Sequence, residues 1–558
     1  MHNYKKRTIY LPLALAFVLA LGFILGIVVV KTRTLNRNLS LLQSLQSAKY
    51  DPVNDVLGYI MKDYVDSVDA GKLEQYAVEG MLKNLDPHSQ FIPAEEFDEV
   101  NESLMGNFDG IGVQFRIESD SVYVVNTIPG GPSEKVGMRA GDRIVKVDDK
   151  LIAGVKIENR DVMKMLKGQR GTKVKVSVYR RGVPTLINYN ITRDVIPTYS
   201  VDVAFISQPG TGYIKLSKFS SSTAQEFSEA LISLKGQGMQ QLVLDLRGNS
   251  GGFLQSAIEV ADHFLKDKDL IVYTEGHNRP KEVALATKAG LFEDGRVVVL
   301  IDEGSASSAE IVAGALQDND RATIVGRRSF GKGLVQEQLK LPDGSAIRLT
   351  VARYFTPSGR SIQKPYVNGH SEDYESELYD RMLRGEFESA DSIRFNDSLK
   401  YITKGGKTVY GGGGIMPDIF TPIEKNEKYQ YYNAVLNKGI MHQFTFEYTD
   451  KNRQNLNRYR NFDEFNRRFV ISDGILNDFI SYAEEKGVKR DQAGIEFVKG
   501  EMTNLMKALI ARNIFDEKGF YPIYLKTDKT YKKAVEVLRG NNFSSIIIPA
   551  CGEYRMQI

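Results

Sequence analysis

Hydrophobic patterning is strongest at the start of the chain. Residues 9–30 are uncharged and mostly apolar, a run of 22 that follows Lys5, Lys6 and Arg7. As a helix it would extend about 33 Å, enough to cross a hydrocarbon core of roughly 30 Å. A cleavable signal has an apolar region of about 7–15 residues ending at a small-x-small site. This run is longer and passes into Lys31-Thr32-Arg33 without such a site there. It predicts an uncleaved transmembrane anchor over 9–30, with a removed signal as the alternative. Basic residues flank both ends, so charge orients the span only weakly. Residues 1–8 are expected in the cytoplasm and the rest outside. Residues 31–106 mix polar and apolar positions at helical spacing. Leu85-Asp86-Pro87-His88-Ser89 breaks the pattern as a turn, and Pro93-Ala94-Glu95-Glu96-Phe97 restarts it.

From Phe108 the period shortens to two, predicting strands over 112–117, 122–128, 143–147 and 173–179. Pro129-Gly130-Gly131-Pro132 and Asp148-Asp149 between them are turn chemistry, so residues 107–193 read as a small β-rich domain. A second regime begins at Gly212. Strands over 212–216, 241–246, 297–301 and 322–325 alternate there with helical stretches over 221–235, 254–264 and 308–316. Leu242-Val243-Leu244 and Val297-Val298-Val299-Leu300-Ile301 are unbroken apolar runs, the pattern of strands buried on both faces. Residues 194–422 therefore read as an α/β core. The charged, Tyr-bearing stretch 365–410 reads as a surface insertion in it, and 423–558 as a helical C-terminal region.

Composition narrows what such an assembly does. With 73 basic and 70 acidic residues the net charge is +3, without the basic surplus of a nucleic-acid binder. Cys551 is the single cysteine, which excludes an internal disulfide and a multi-cysteine zinc site. The six histidines are scattered with no His-x-x-x-His pair, so no metal or other cofactor is expected.

Three segments offer chemistry. Gly248-Asn249-Ser250-Gly251-Gly252 fits a Gly-x-Ser-x-Gly elbow, but no downstream histidine stands in a setting that suggests a base. The plainer reading is a glycine turn whose N–H groups point at something. Gly326 to Lys332 has Walker spacing, yet Gly333 replaces the Ser or Thr that would hold magnesium, and a strand rather than a helix is expected next. Gly304-Ser305-Ala306-Ser307-Ser308-Ala309-Glu310 lies between a buried strand and a helix, where N–H donors and the helix dipole favour a developing anion. From local spacing alone the favoured reading is a Ser-rich N-cap. Lys332, between two glycines, changes that balance, because a serine without a histidine partner needs such a base. A neutral Lys332 requires its pKa to fall from about 10.4 towards 7–8, which burial can supply. Gln336, four residues on, shares a face with Lys332 on strand or helix and could orient the amine without adding charge.

These residues resemble the carboxyl-terminal processing peptidases, or tail-specific proteases, from about residue 40 to about 425. Six segments stand in that family's order: Leu85-Asp-Pro-His-Ser89, Asp245-Leu-Arg-Gly-Asn-Ser-Gly-Gly252, Ser305-Ala-Ser-Ser-Ala-Glu310, Phe330-Gly-Lys-Gly333, Tyr354-Phe-Thr-Pro-Ser-Gly-Arg360 and Gly414-Ile-Met-Pro-Asp418. The resemblance implies that Ser307 is the nucleophile, Lys332 the general base and Gln336 its support. It implies an oxyanion hole from backbone N–H groups of Gly251 or Gly252 and of Ser308. It also implies that 107–193 is a PDZ domain whose carboxylate-binding loop is Gly110-Ile111-Gly112-Val113, and that the protease core is crotonase-like.

The resulting expectation is a multidomain α/β and β protein, a membrane-anchored serine endopeptidase that cuts extracytoplasmic proteins near free C termini. Its place would be the inner membrane as a single-pass protein, with the catalytic part periplasmic. Expected partners are peptide substrates and the membrane; a homo-oligomer stays open. Two other readings remain: a PDZ adaptor with an inactive core, and an esterase using Ser250.

Overall fold

Strands Val201–Gln208, Thr211–Leu216, Gln241–Asp245, Arg296–Ile301, Thr323–Gly326 and Ile419–Phe420 lie side by side in that order. The first pair is antiparallel and the rest are parallel. This is the heart of a computed structural model that describes residues 51–540 except Ser119. The proposed anchor over 9–30 and Cys551 lie outside those residues. Among the described residues no helix is long and apolar enough to cross a membrane. The chain divides into two units after Leu82. In the first, helix Pro52–Asp63 is capped by the Asp51 carboxylate, which accepts from the Asn54 N–H. All that follows belongs to the second.

The unbroken apolar runs are buried on both faces, and alternate residues enter different cores. Leu242, Leu244, Val297, Val299 and Ile301 pack under helices Thr223–Gly236, Leu254–Asp262 and Ser308–Asp318. Val243, Val298, Leu300 and Val325 point the other way, against Leu525 and against Ala534, Val535 and Leu538 of helix Lys529–Arg539. The C-terminal region thus supplies the second cover of the core sheet. Its remaining helices, between Gln430 and Tyr524, build their own core around Phe444, Phe465, Phe479 and Met506.

A second sheet joins Gln90–Ile92, Ala346–Phe355, Leu270–Gly276 and Arg279–Leu285, with Leu334–Lys340 paired antiparallel onto Ala346–Phe355. Strand, not helix, therefore follows Lys332, and the Walker-like spacing is fortuitous. The β-rich domain is a separate sheet ordered Val113–Glu118, Ser121–Thr127, Arg143–Val147, Lys173–Tyr179, Ile187–Thr192. Val122, Val124, Val174, Val176 and Val178 form its core with Val162 and Leu166 of helix Asn159–Leu166. Strand Val113–Glu118 is at the sheet's edge.

Residues 365–410 are mostly exposed, but part of the segment packs on the core. Helix Ser371–Leu383 is seated on the loop before Lys332: buried Arg381 donates to the carbonyls of Ser329 (2.9 Å) and Arg328 (2.8 Å). Glu386 sits between Arg328 (2.7 Å) and Arg381 (3.4 Å). Sequence shows the charges but not that they are paired.

Candidate active site

Three loops leave the carboxyl ends of neighbouring parallel strands and meet in one cleft of about 910 Å³. The first, after Gln241–Asp245, carries Ser250, Gly251 and Gly252. The second, after Arg296–Ile301, carries Ser307. The third, after Thr323–Gly326, carries Lys332 and leads to Gln336.

Ser307 is the N-cap of helix Ser308–Asp318 and has φ 53°, ψ −115°. Such a backbone costs about 1–3 kcal/mol for a residue with a Cβ and persists only where its surroundings enforce it. Two side chains do so. Glu310, with no exposed surface, accepts from the N–H groups of Ser307 (2.8 Å), Gly331 (2.7 Å) and Lys332 (2.9 Å), and from Ser329 Oγ (2.5 Å). The Tyr354 hydroxyl bonds the carbonyls of Ser307 (3.2 Å) and Lys332. The Ser307 loop and the Lys332 loop are therefore clasped to each other through their backbones. Burial pushes the Glu310 carboxyl up to about 7 against the pull of these donors.

Lys332 Nζ donates to Gln336 Oε1 at 3.0 Å, and no hydrogen bond runs from it to Ser307 Oγ among the described residues. Gln336 is oriented in turn: its Nε2 donates to the His88 carbonyl at 2.5 Å. That carbonyl belongs to the turn predicted at Leu85-Asp86-Pro87-His88-Ser89. Asp86 fixes the turn by accepting from the N–H groups of His88 (3.0 Å) and Ser89 (3.1 Å) and from Ser89 Oγ (2.5 Å). Burial lowers the Lys332 pKa; the Arg348 charge lowers it further, while Asp86 and Glu310 oppose. Burial also takes His88 down to about 4, so its ring, bonded to the Tyr374 hydroxyl at 3.0 Å, is neutral above that pH.

The glycine turn presses directly on Ser307. A Cβ on Gly251 would meet Ser307 Cβ at 2.8 Å, and one on Gly252 would meet the Phe219 carbonyl oxygen at 1.9 Å. The Gly251 N–H donates to Asn249 Oδ1 at 2.9 Å and is thereby committed. The N–H groups of Gly252 and Ser308 have no acceptor among the described residues. Ser250 is exposed on the same turn and has no bond to any histidine. His263, the nearest downstream, is used by Ser228 Oγ (2.8 Å) and stacks on Phe227.

Residue-by-residue reading missed Glu310 and Tyr354. Glu310 carried a signal, since Ser307-x-x-Glu310 has capping-box spacing; Tyr354, 22 positions from Lys332, stood only at the head of a family-resembling segment, with no local sign of what it bonds. In the β-rich domain, Gly112 has φ 72° and a Cβ there would meet Ile196 Cδ1 at 3.0 Å; Ile111 is buried. The Ile111 and Gly112 carbonyls are spent on Ser133 and Ile128. Val113 opens the edge strand beside them.

Residues 210–375 match peptidase family S41 and residues 110–191 match the PDZ domain, while 431–516 match a family of unknown function. The chain is 35% identical over 336 residues to the carboxy-terminal processing protease CtpA of Bacillus subtilis, covering 59% of this chain and 71% of that one. It is 38% identical over 314 residues to a carboxy-terminal-processing protease of Bartonella bacilliformis, covering 55% and 71%. Among solved structures, the photosystem II D1 C-terminal processing protease is 31% identical with a TM-score of 0.34, over 55% of this chain and 82% of that one. With its PDZ domain, its S41 core and these relatives, the chain belongs to the carboxy-terminal processing proteases and is a serine peptidase.

Proposed function

We propose that Ser307 attacks the scissile carbonyl, that Lys332 takes its proton, and that the Gly252 and Ser308 N–H groups receive the oxyanion. The observation that carries this reading is the clasp of Glu310 and Tyr354, which ties the Ser307 and Lys332 loops together at the mouth of one cleft. In the resting state Lys332 rests on Gln336; its four-carbon stem lets Nζ swing to Ser307 Oγ when substrate fills the cleft. A lysine can act as base only when neutral, and burial favours that form. As the tetrahedral intermediate collapses to the acyl-enzyme, the same amine passes that proton to the leaving amine, and the neutral lysine then activates the water that releases the acyl group.

The substrate is a polypeptide recognised at its free C terminus. An edge strand beside a glycine loop suits strand addition of a peptide with its carboxylate on loop N–H groups. The uncharged run 9–30 supports a membrane anchor with the catalytic part extracytoplasmic. The discriminating experiment is active-site labelling with a fluorophosphonate, mapped to a residue. Modification of Ser307 supports this reading. Modification of Ser250 replaces it with the esterase, and no labelling together with no proteolysis leaves the inactive adaptor.

A further inference from the structure

Arg348 lies on strand Ala346–Phe355 and lines the same cleft as Ser307, Lys332 and Gln336. Its register places it with Gln338, two pairs beyond Gln336 and Thr350, so all four side chains share one face of the ladder. Its Nη2 donates to Gln338 Oε1 at 3.1 Å. No carboxylate pairs with it among the described residues, and burial alone acts on its pKa, with no acid raising it. Glu259 lines the cleft without reaching it. A half-buried guanidinium left without a counter-ion is costly, and its planar fork fits a carboxylate through two parallel bonds. The cost is repaid if a substrate brings the charge.

We propose that Arg348 is a specificity-determining residue that binds a carboxylate of the bound polypeptide within the catalytic cleft. Its position sets the spacing. Neighbouring pairs on one face of a ladder are about 7 Å apart, and an extended peptide advances about 3.3 Å per residue. The carboxylate therefore stands roughly two to four residues from the scissile bond. This site is distinct from the Gly110-Ile111-Gly112-Val113 loop and acts at the cutting step, so that a tail is released when a few residues remain beyond the bond. The inference rests on the Ser307–Lys332 reading for where cutting occurs.

The test uses the full chain and one peptide series cut at a fixed bond. Its arms are a free acid three residues past the bond, the same tail as an amide, and the amide with an Asp at the third position. Wild type is expected to favour the free acid over the amide by about ten- to hundred-fold in kcat/KM, the range of charge-assisted hydrogen bonds. Arg348→Gln should bring that ratio close to one, and Arg348→Lys should restore part of it. Gly112→Val, which strains the PDZ loop, should leave the ratio for such short tails in place. If the Asp-bearing amide matches the acid, the ligand is any carboxylate at that spacing; if it matches the plain amide, the ligand is the chain terminus. A ratio unchanged in Arg348→Gln overturns the proposal, as does an inactive Arg348→Gln whose acid preference Arg348→Lys fails to recover. Cleavage persisting in Ser307→Ala would overturn the dyad instead, and leaves the ratio readable.

Discussion

Asp528, the N-cap of the last described helix, lies 2.8 Å from the Arg247 guanidinium at the foot of the glycine turn. Arg247 also holds Asp245 at 2.6 Å, and Asp245 accepts from the Tyr213 hydroxyl at 2.7 Å. A region remote in sequence thus supports the turn that carries Gly252, as well as covering the sheet behind it. Asp528→Asn should cost about 1–3 kcal/mol of stability, since Arg247 keeps one of its two carboxylates. Leu538→Ala, which opens the covered face, should cost about 2–5 kcal/mol. Denaturant unfolding measures both. A well-folded, active fragment ending at Pro422 would contradict the role given to this region.

Ser307→Ala and Lys332→Ala should each reduce kcat to background, and the double variant should be no worse than either, because the pair acts as a unit. Ser250→Ala should keep much of the activity. Single-turnover kinetics on one peptide series compares all four; an active Ser307→Ala alongside a dead Ser250→Ala would reverse the assignment.

Activity should rise with pH through the lowered pKa of Lys332, since only the neutral amine accepts a proton, placing the acidic limb of kcat/KM well below 10. The charged groups acting on it are Arg348, Asp86 and Glu310. Removing the repelling charge in Arg348→Gln should move the limb upward, and Asp86→Asn should move it downward. A rate still climbing past pH 10 would show an unperturbed lysine.

Glu310 gives a stability signature of its own. Its folded pKa, about 7, lies above the ordinary 4.5, so the protonated form is favoured by folding. The stability this contributes is fully present below pH 4.5 and is lost as pH rises through 7, about 3 kcal/mol in all. Glu310→Gln, which imitates the protonated form, should remove that pH dependence while abolishing the activity that needs the clasp. Parallel unfolding curves for both proteins from pH 4.5 to 8 would refute it.

The PDZ loop should bind a free tail tens-fold more tightly than its amide in the inactive Ser307→Ala chain. An apolar last residue should help, because Val113 and Phe115 lie beside the loop. Gly112→Val should weaken that binding, since φ 72° strains any β-branched residue. Titration with a fluorescent tail reads it directly, and equal affinity for acid and amide would exclude the loop as the receptor.

Period and glycine chemistry made much of this molecule readable in one dimension. Unbroken apolar runs marked strands covered on both sides, and Val297–Ile301 fills two cores. Strand Leu334–Lys340 after Lys332 followed from the same reading, and with it the common face of Lys332 and Gln336. Those signals are local, set by backbone geometry within a few residues. Tertiary structure alone decided what lies far along the chain: Tyr354 between two carbonyls, the His88 carbonyl on Gln336, Arg381 on the loop before Lys332, Asp528 on Arg247. Whether a charged residue is solvated or buried against a partner depends on where a distant segment returns. A paired charge and an unpaired one are written with the same letter, so the sequence does not separate Arg381 from Arg348. Only the fold shows that Arg381 and Glu386 pair against the loop before Lys332 and that no carboxylate among the described residues reaches Arg348.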